Sequence, residues 1–223
     1  MSNLYKKRQE IRELVLTSSY EAGACHLGSS LSTVDILVDL FYNILKPEDI
    51  FIFSKASGVS TYYAILADKG YFPKEKLAFY LKNYPECSKE VPGVLHSVGS
   101  VGHGLPVAVG VAYANPDKNV YVLMSDGECQ EGVNFEASLF ARQHNLTNLF
   151  VIVDNNKIQA CDFTDNVLNM DTAFEFYKKT LPNCEIKDTI KGQGVSFMEG
   201  KTEWHYRNLD ENLLKLALKE IWI

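Results

Sequence analysis

The sequence predicts an α/β protein with a doubly wound, mostly parallel sheet that carries helices on both faces. Residues 119–124 and 149–153 are short apolar runs bounded by polar turns, which is typical of buried parallel strands. The stretch between them is long enough for a loop and a crossover helix. Strand-like and helix-like segments alternate over most of the 223 residues, so we expect one domain over residues 1–223.

Residues 4–53 are predicted to form two helices and then a strand. Residues 4–20 place apolar side chains at helical spacing between charged ones, which predicts an amphipathic helix. Ser32, with Asp35 three residues later, resembles a capping box and predicts the start of a buried helix that reaches about residue 45. Residues 50–53 are apolar and predict a short buried strand.

The remaining elements follow from the same periodicities and from the positions of glycine and proline. A helix over 57–69 is expected to end at Gly70, and Pro73 is expected to open the next one. An irregular stretch, 84–100, then leads into a glycine-rich turn. The elements predicted after this turn are helices at 105–114, 132–144, 171–180 and 209–221, and strands at 119–124, 149–154 and 185–190.

Composition excludes several classes of protein. The net charge of −6 and the pI of about 5.4 argue against nucleic acid and anionic membranes as partners. The sequence has no apolar run long enough for a transmembrane helix, and its N-terminus does not resemble a signal peptide. The five cysteines are dispersed and odd in number, which indicates reduced thiols in a cytoplasmic protein. Cys25 or Cys129 as a reactive thiol is the alternative to plain packing.

Two polar segments follow the strands that end near residues 124 and 153. Asp126 follows the first strand, and Asn156 follows the second. Parallel strands deliver such side chains to the same edge of a sheet, where ligands bind in open α/β folds. Carboxylate and amide oxygens suit Mg²⁺ or Ca²⁺, and diphosphate oxygens complete such sites. The alternative is that each side chain merely caps the element that follows it.

A glycine-rich turn precedes the predicted helix at 105–114. Gly99, Gly102 and Gly104 would let the backbone approach a ligand closely and would present amide groups to an anion at the start of a helix. Alone this pattern is weak evidence, because tight turns use glycine widely. Beside a metal site at the end of the next strand, it favours a bound diphosphate.

Four motifs together resemble the transketolase family, specifically its N-terminal, cofactor-diphosphate half, which in some organisms is a separate subunit. Residues 125–132, Ser-Asp-Gly-Glu-Cys-Gln-Glu-Gly, followed by Asp-Asn-Asn-Lys at 154–157, resemble the thiamine diphosphate signature. The other three motifs are residues 26–32, residues 92–104, and residues 191–199 with Trp204-His205. The resemblance implies the thiamine diphosphate-binding fold, here as the diphosphate-binding domain.

The resemblance also implies roles for individual residues. Asp126, Asn156 and the carbonyl of Ile158 would hold Mg²⁺ or Ca²⁺. The residues implied to contact thiamine diphosphate are Gly99, Ser100, Val101, Gly127, Glu128, Asn156 and His205. The residues implied to face the reacting centre are His26, His103 and His205. Each histidine alone could equally be a structural side chain.

The family's pyrimidine-binding domain has no counterpart in this sequence. The resemblance therefore implies a separate C-terminal, transketolase-like subunit, with two copies of each chain in a heterotetramer. Glu131 and Glu136 match glutamates at the family's subunit interface, although a solvated helix face is the simpler reading. The implied reaction is transfer of a two-carbon ketol unit from a ketose, or ketose phosphate, to an aldose.

Three departures from the family pattern keep other functions open. Ser57 stands in place of an active-site histidine, and Tyr84 precedes Pro85 where a second histidine is usual. The stretch between about residues 171 and 186 is shorter than in typical members, which predicts missing elements and an exposed sheet edge. A different thiamine diphosphate reaction, such as a deoxysugar synthase or a 2-oxo acid decarboxylase, is one alternative. A degenerate, non-catalytic subunit is the other.

Overall fold

The computed structural model describes residues 3–222, and the chain divides into two compact units built from separate segments. The helical unit comprises the described parts of residues 1–45, 57–97 and 189–223. The sheet unit comprises residues 46–56 and 98–188. Within residues 3–222, no helix has the length and apolar character that crossing a membrane requires. A single domain over residues 1–223 stays a prediction.

The elements alternate along the chain as the sequence predicts. The helices are α1 (Asn3–Ala22), α2 (Leu27–Asp39), α3 (Val59–Asp68), α4 (Leu77–Asn83), α5 (Gly104–Ala114), α6 (Gly132–Gln143), α7 (Thr164–Val167), α8 (Asp171–Thr180) and α9 (Glu211–Glu220). The strands are β1 (Ile50–Phe53), β2 (Val120–Ser125), β3 (Leu149–Asn155) and β4 (Asn183–Asp188). Short 3-10 turns occupy Ala56–Gly58, Lys74–Lys76, Gly127–Gln130 and Thr202–His205, and a π-helical turn, Leu40–Ile44, extends α2.

The four strands form one parallel sheet in the order β1-β2-β3-β4, which confirms the α/β class and the parallel sheet. Helices α5, α6 and α8 supply side chains to one apolar core with the strands, and Tyr177 of α8 is fully buried there. Phe53 and Leu123, which point to the other face of the sheet, are also buried. The register pairs Ser125 of β2 with Asp154 of β3, so the two polar strand ends are neighbours.

The helical unit is held by apolar packing and by two charge clusters. Arg12 of α1 donates to Asp35 of α2 at 2.8 Å and to the Gln193 carbonyl at 3.3 Å. Lys7, Tyr42 and Lys74 all donate to Asp68 at the end of α3. Burial opposes the charge on Asp68, but these three hydrogen bonds outweigh it and lower its pKa to about 2.

The predicted capping box at Ser32 is wrong. Helix α2 begins at Leu27, and the residue before it, His26, adopts the left-handed conformation with φ of 64°. Ser32 lies inside the helix, where its hydroxyl donates to the Ser29 carbonyl at 3.0 Å, a bond that helix interiors tolerate. Asp35 accepts from Arg12 instead of completing a cap.

Smaller differences concern element boundaries. Strand β4 spans 183–188 rather than 185–190, because its pairing with β3 starts at Asn183 opposite Phe150. The segment after Pro73 begins as a 3-10 turn and becomes α-helical only at Leu77. The other predicted helices and strands agree with the observed ones to within two residues or so. In the described sheet β1 and β4 are the edges, and the link between an exposed edge and the shortened stretch stays a prediction.

Candidate functional site

Asp126 joins the ends of two neighbouring strands. It follows β2 directly, and its backbone N–H donates to the Asp154 carbonyl on β3 at 3.1 Å. One carboxylate oxygen accepts from the Gly127 N–H at 2.8 Å, and the other accepts from the Lys157 N–H at 2.6 Å. Only 1% of Asp126 is exposed. The carboxylate is therefore fixed by backbone donors from both segments.

The turn after β3 brings the other predicted metal ligands to the same place. Asn156 is 5% exposed, and its amide oxygen accepts from the Ile158 N–H at 3.1 Å. Lys157 between them has φ of 67°, a left-handed conformation that costs energy for a residue with a side chain. This strained turn is held by the bond from Lys157 to Asp126. Asp126, Asn156 and Ile158 thus lie together, as predicted.

A buried ion pair flanks Asp126. Lys55, directly after β1, bonds to Asp154 at the end of β3, and both side chains are at most 1% exposed. Burial raises the pKa of Asp126 and the neighbouring Asp154 raises it further, whereas Lys55 and the two backbone donors lower it. Two carboxylates and one ammonium leave one net negative charge when all three are ionised. A bound cation would offset that charge.

The donor set fits a hard divalent cation. Among residues 3–222, no group of three or more His, Cys, Asp or Glu side chains is placed to hold a metal. A metal at Asp126 must therefore also use amide and carbonyl oxygens, which Asn156 and Ile158 carry. Mg²⁺ and Ca²⁺ accept such mixed oxygen ligands, whereas zinc sites need nitrogen or sulfur.

Glu128 ties the end of β1 to the end of β2. One carboxylate oxygen accepts from the Ser54 hydroxyl, and the other accepts from the Ser125 N–H at 2.7 Å and the Ser125 hydroxyl at 3.0 Å. Burial raises the pKa of Glu128, while these donors and the Gly102 amide lower it. Its carboxylate is committed to protein donors, so the structure gives it an organising role. Direct contact with a cofactor stays a prediction.

The glycine-rich turn packs closely against these segments. Gly102 has φ of 87°, and a Cβ there would lie 2.8 Å from the Glu131 Cβ. A Cβ on Gly104 would overlap Ser54, so only glycine lets α5 begin this close to the end of β1. Ser100, Val101 and His103 of the turn are exposed, and Val101 shows 54% of its surface. Their contact with a ligand, like that of Gly99, stays a prediction.

Two of the three predicted histidines meet in the helical unit. The His26 N–H donates to the His205 carbonyl at 2.8 Å, and the two rings pack edge to face with centroids 4.7 Å apart. Lys191 places its ammonium nitrogen 3.0 Å from Nδ1 of His205. His103 belongs to the sheet unit. Catalytic roles for the three histidines stay predictions.

Two buried lysines are absent from the predicted site, and the contacts that Glu128 makes there were not predicted, because the partners are not adjacent in the chain. Lys55 and Lys191 are fully buried lysines whose partners, Asp154 and His205, lie 99 and 14 residues away. The organising role of Glu128 depends on Ser54, 74 residues earlier. A lysine inside an otherwise apolar or glycine-rich segment is the signal that could have found both lysines.

The structure also places the cysteines, the two residues that stand where the family has histidines, and the two glutamates. All five cysteines are free thiols, as predicted. Burial raises the pKa of both Cys25 and Cys129, which argues against a reactive thiolate at either position. Ser57 and Tyr84 are half-buried residues of the helical unit. Glu131 and Glu136 are exposed, and their place at a subunit interface stays a prediction.

Comparison with known proteins identifies the family. Residues 1–215 match the family model described as 1-deoxy-D-xylulose-5-phosphate synthase. The chain is 37% identical to an apulose-4-phosphate transketolase subunit of Actinobacillus succinogenes, with 98% of this chain and 95% of the relative covered. It is 30% identical to the 6-deoxy-6-sulfo-D-fructose transketolase subunit SqwG of a Clostridium species. That match covers 98% of this chain and 96% of the relative.

Solved structures agree on the fold. Transketolase from Pichia stipitis superposes with a TM-score of 0.87 at 23% identity, over all of this chain and 41% of that chain. Transketolase from Campylobacter jejuni superposes with a TM-score of 0.86 at 23% identity, over all of this chain and 43% of that chain. The chain thus spans about two fifths of these transketolases but nearly the whole length of the two relatives that are single transketolase subunits.

The alignment lengths also bear on the predicted shortening. The match to the Actinobacillus protein runs over 265 positions against 223 residues here, so at least 42 of its positions have no residue in this chain. This chain is therefore shorter than the relative inside the matched region, and the location of the difference at 171–186 stays a prediction. The family model and the two subunit relatives agree. The chain belongs to the transketolase family of thiamine diphosphate enzymes, as the N-terminal subunit of a split transketolase.

Proposed function

We propose that this chain anchors the diphosphate of thiamine diphosphate through Mg²⁺ or Ca²⁺, and transfers ketol units together with a C-terminal subunit. The observation that carries the proposal is the bond from the Lys157 N–H to Asp126, which joins the ends of β2 and β3 into one oxygen-rich turn. Ligand sites at the carboxyl ends of parallel strands are the rule in open α/β sheets.

Each part of the site has a task in this proposal. Asp126, Asn156 and the Ile158 carbonyl would hold the metal, which would in turn hold the diphosphate. Gly127 has no side chain and so permits close approach of the anion. The Lys55–Asp154 pair keeps the buried charge near Asp126 small before the metal binds. The cofactor, when bound, supplies the carbanion chemistry, and the protein orients it and excludes water.

The histidines would handle hydrogen bonds and protons at the sugar. His26 and His205 form one packed pair and can donate or accept near neutral pH. His103 is exposed in the turn that opens α5. Ser57 offers a hydroxyl where the family carries an imidazole, so it can hydrogen-bond a substrate but cannot act as a base at neutral pH.

The proposed donor is a ketose with an anionic group. The names of two similar proteins specify apulose-4-phosphate and 6-deoxy-6-sulfo-D-fructose, which carry a phosphate and a sulfo group. We therefore propose a ketose phosphate as donor and an aldose as acceptor. The proposed assembly is a heterotetramer of two copies of each subunit, in the cytoplasm, where the five free thiols stay reduced.

A second function has a specific observation in its favour. The matching family model is described as a deoxysugar synthase, and Ser57 and Tyr84 replace histidines of the transketolase pattern. A positioned acid or base contributes about 10²–10⁴-fold to a rate, so two such losses fit a different reaction. The alternative is a synthase or decarboxylase that consumes a 2-oxo acid and releases CO₂.

One assay separates these functions. The chain is co-expressed with a candidate C-terminal, transketolase-like subunit, and the purified complex receives thiamine diphosphate and Mg²⁺. Mass spectrometry then follows a panel of ketose phosphates, free ketoses and 2-oxo acids, each with aldose acceptors. We expect products two carbons longer than the acceptor without CO₂ release. Decarboxylation of a 2-oxo acid would support the synthase, and cofactor binding without any turnover would support a degenerate subunit.

A further inference from the structure

Lys191 is a completely buried lysine whose head group meets an imidazole. It follows β4 in a loop of the helical unit, and none of its surface is exposed. Its ammonium nitrogen lies 3.0 Å from Nδ1 of His205, within hydrogen-bonding distance. Burying a lysine is costly unless its donors are used, so this placement requires an explanation.

The backbone around Lys191 fixes the direction of its side chain. The Gly192 N–H donates to the Gly28 carbonyl at 2.8 Å, and the Lys191 carbonyl accepts from Gly200 at 2.9 Å. A Cβ on Gly28 would lie 3.0 Å from Cγ of Lys191 and 3.2 Å from Cβ of Trp204. Helix α2 therefore uses a glycine where the lysine stem passes, and the stem has one route through the packing.

His205 is held equally well. Its carbonyl accepts from the backbone N–H of His26, and its ring packs against the rings of His26 and Tyr206, whose centroids lie 4.7 Å and 4.6 Å away. Only 8% of the residue is exposed. The imidazole thus keeps one orientation, with Nδ1 toward Lys191.

We propose that Lys191 is a positioning residue that fixes the tautomer of His205. The proposal takes Lys191 as charged: an ammonium group has three donors and no acceptor, so Nδ1 accepts and the ring proton sits on Nε2. A neighbouring ammonium also disfavours a second positive charge on the ring. His205 is then a neutral imidazole that presents an Nε2–H donor.

The use of this donor rests on the proposed function. A fixed Nε2–H can donate to an anionic oxygen of the cofactor or to a sugar oxygen, and it needs no reorganisation when the ligand arrives. A histidine free to exchange tautomers would present an acceptor part of the time. The contact of Lys191 with His205 would therefore raise the fraction of the protein in which His205 can donate to the ligand.

Nitrogen-15 NMR tests the tautomer directly. The full chain is labelled with ¹⁵N-histidine, two-bond proton–nitrogen correlations are recorded at pH 7.5, and the His205 signals are identified by their loss in H205Q. We expect an unprotonated Nδ1 and a protonated Nε2 in the wild-type chain. A proton on Nδ1 would overturn the proposal, and this readout does not depend on any variant of Lys191 folding.

Three variants connect the tautomer to Lys191. Lys191→Met should shift His205 toward a mixture of tautomers, whereas Lys191→Arg keeps a donor and should restore the Nε2–H form. Lys201→Met, at an exposed lysine of the same loop, is the matched control and should change nothing. A wild-type spectrum in Lys191→Met would contradict the proposal. If the tautomer is as expected but the reconstituted complex transfers no ketol unit, the proposed function fails while this inference stands.

Discussion

The strand-end turn at Asp126 in the sheet unit and the histidine cluster in the helical unit are built in different ways. The turn lies at two adjacent strand ends, and hydrogen bonds between segments that follow neighbouring strands hold it. The cluster joins His26, directly before α2, to His205, 179 residues later, through a backbone hydrogen bond and ring packing, and a buried lysine contacts His205. Local sequence specifies the first kind of site, whereas the second exists only after long-range packing.

Both regions use a fully buried lysine, but the partner differs. Lys55 faces a carboxylate, Asp154, and Lys191 faces an imidazole, His205. Removing Lys55 leaves a buried negative charge, whereas removing Lys191 leaves a neutral ring. We therefore expect removal of Lys55 to lower the stability of the protein strongly. Removal of Lys191 should chiefly change the tautomer of His205.

The largest effect is expected for Lys55→Met. It removes the ammonium that faces the buried Asp154 carboxylate, which should lower the free energy of unfolding by about 3–5 kcal/mol. Urea denaturation followed by circular dichroism measures this change. The double variant Lys55→Met/Asp154→Leu, which removes both charges, should recover most of the loss.

The matched control is Lys179→Met, which breaks the exposed pair of Lys179 with Glu175 on α8. Solvent screens that pair, so its loss should leave the free energy of unfolding nearly unchanged. Equal effects of the two lysine variants would contradict the assigned role of the buried pair.

Gly104→Ala tests how closely α5 must approach the end of β1. The new Cβ would overlap Ser54, and the displacement should cost about 1–3 kcal/mol of stability, measured as a lower urea midpoint. Gly110→Ala in the same helix meets nothing within 4 Å and should instead stabilise by about 0.5–1 kcal/mol. A stabilised Gly104→Ala would show that the turn tolerates a side chain.

Asp68→Asn tests the charge cluster of the helical unit. The folded-state pKa of about 2 lies below the ordinary 3.8, so the carboxylate stabilises the fold fully above about pH 4. That contribution, about 1 kcal/mol after allowance for solvent screening, is lost as the pH falls from about 4 to about 2. Thermal melts between pH 2 and 7 should show a flatter acid limb in Asp68→Asn than in the wild type. If the melting temperatures of the two proteins fell equally between about pH 4 and about pH 2, the result would contradict this role.

The smallest change in stability is expected for Gly28→Ala. Alanine favours the helix by up to about 1 kcal/mol, but its Cβ presses on Cγ of Lys191 at 3.0 Å, and the two effects should nearly cancel. The His205 nitrogen signals should nevertheless shift, because the lysine stem moves. Unchanged signals would mean that Gly28 does not guide Lys191.

The sequence predicted what local pattern can encode. The apolar runs ending before Asp126 and near Asn156 indicated two adjacent parallel strands whose polar ends meet, which the structure confirms. It failed where tertiary contacts decide: Ser32 resembled a cap but lies inside α2, since a buried helix face extends back to Leu27. The segments around Lys55 and Lys191 make a lysine conspicuous, but the contacts of these lysines with Asp154 and His205 form only on folding.

Titration calorimetry of thiamine diphosphate tests the central claim most directly. The complex of this chain with its C-terminal subunit is titrated with and without Mg²⁺, alongside the Asp126→Ala variant and the exposed control Asp171→Ala. Metal-dependent binding should weaken at least about 100-fold, or 2.7 kcal/mol, in Asp126→Ala and stay unchanged in the control. Wild-type affinity in a folded Asp126→Ala complex would show that the strand-end turn does not anchor the cofactor.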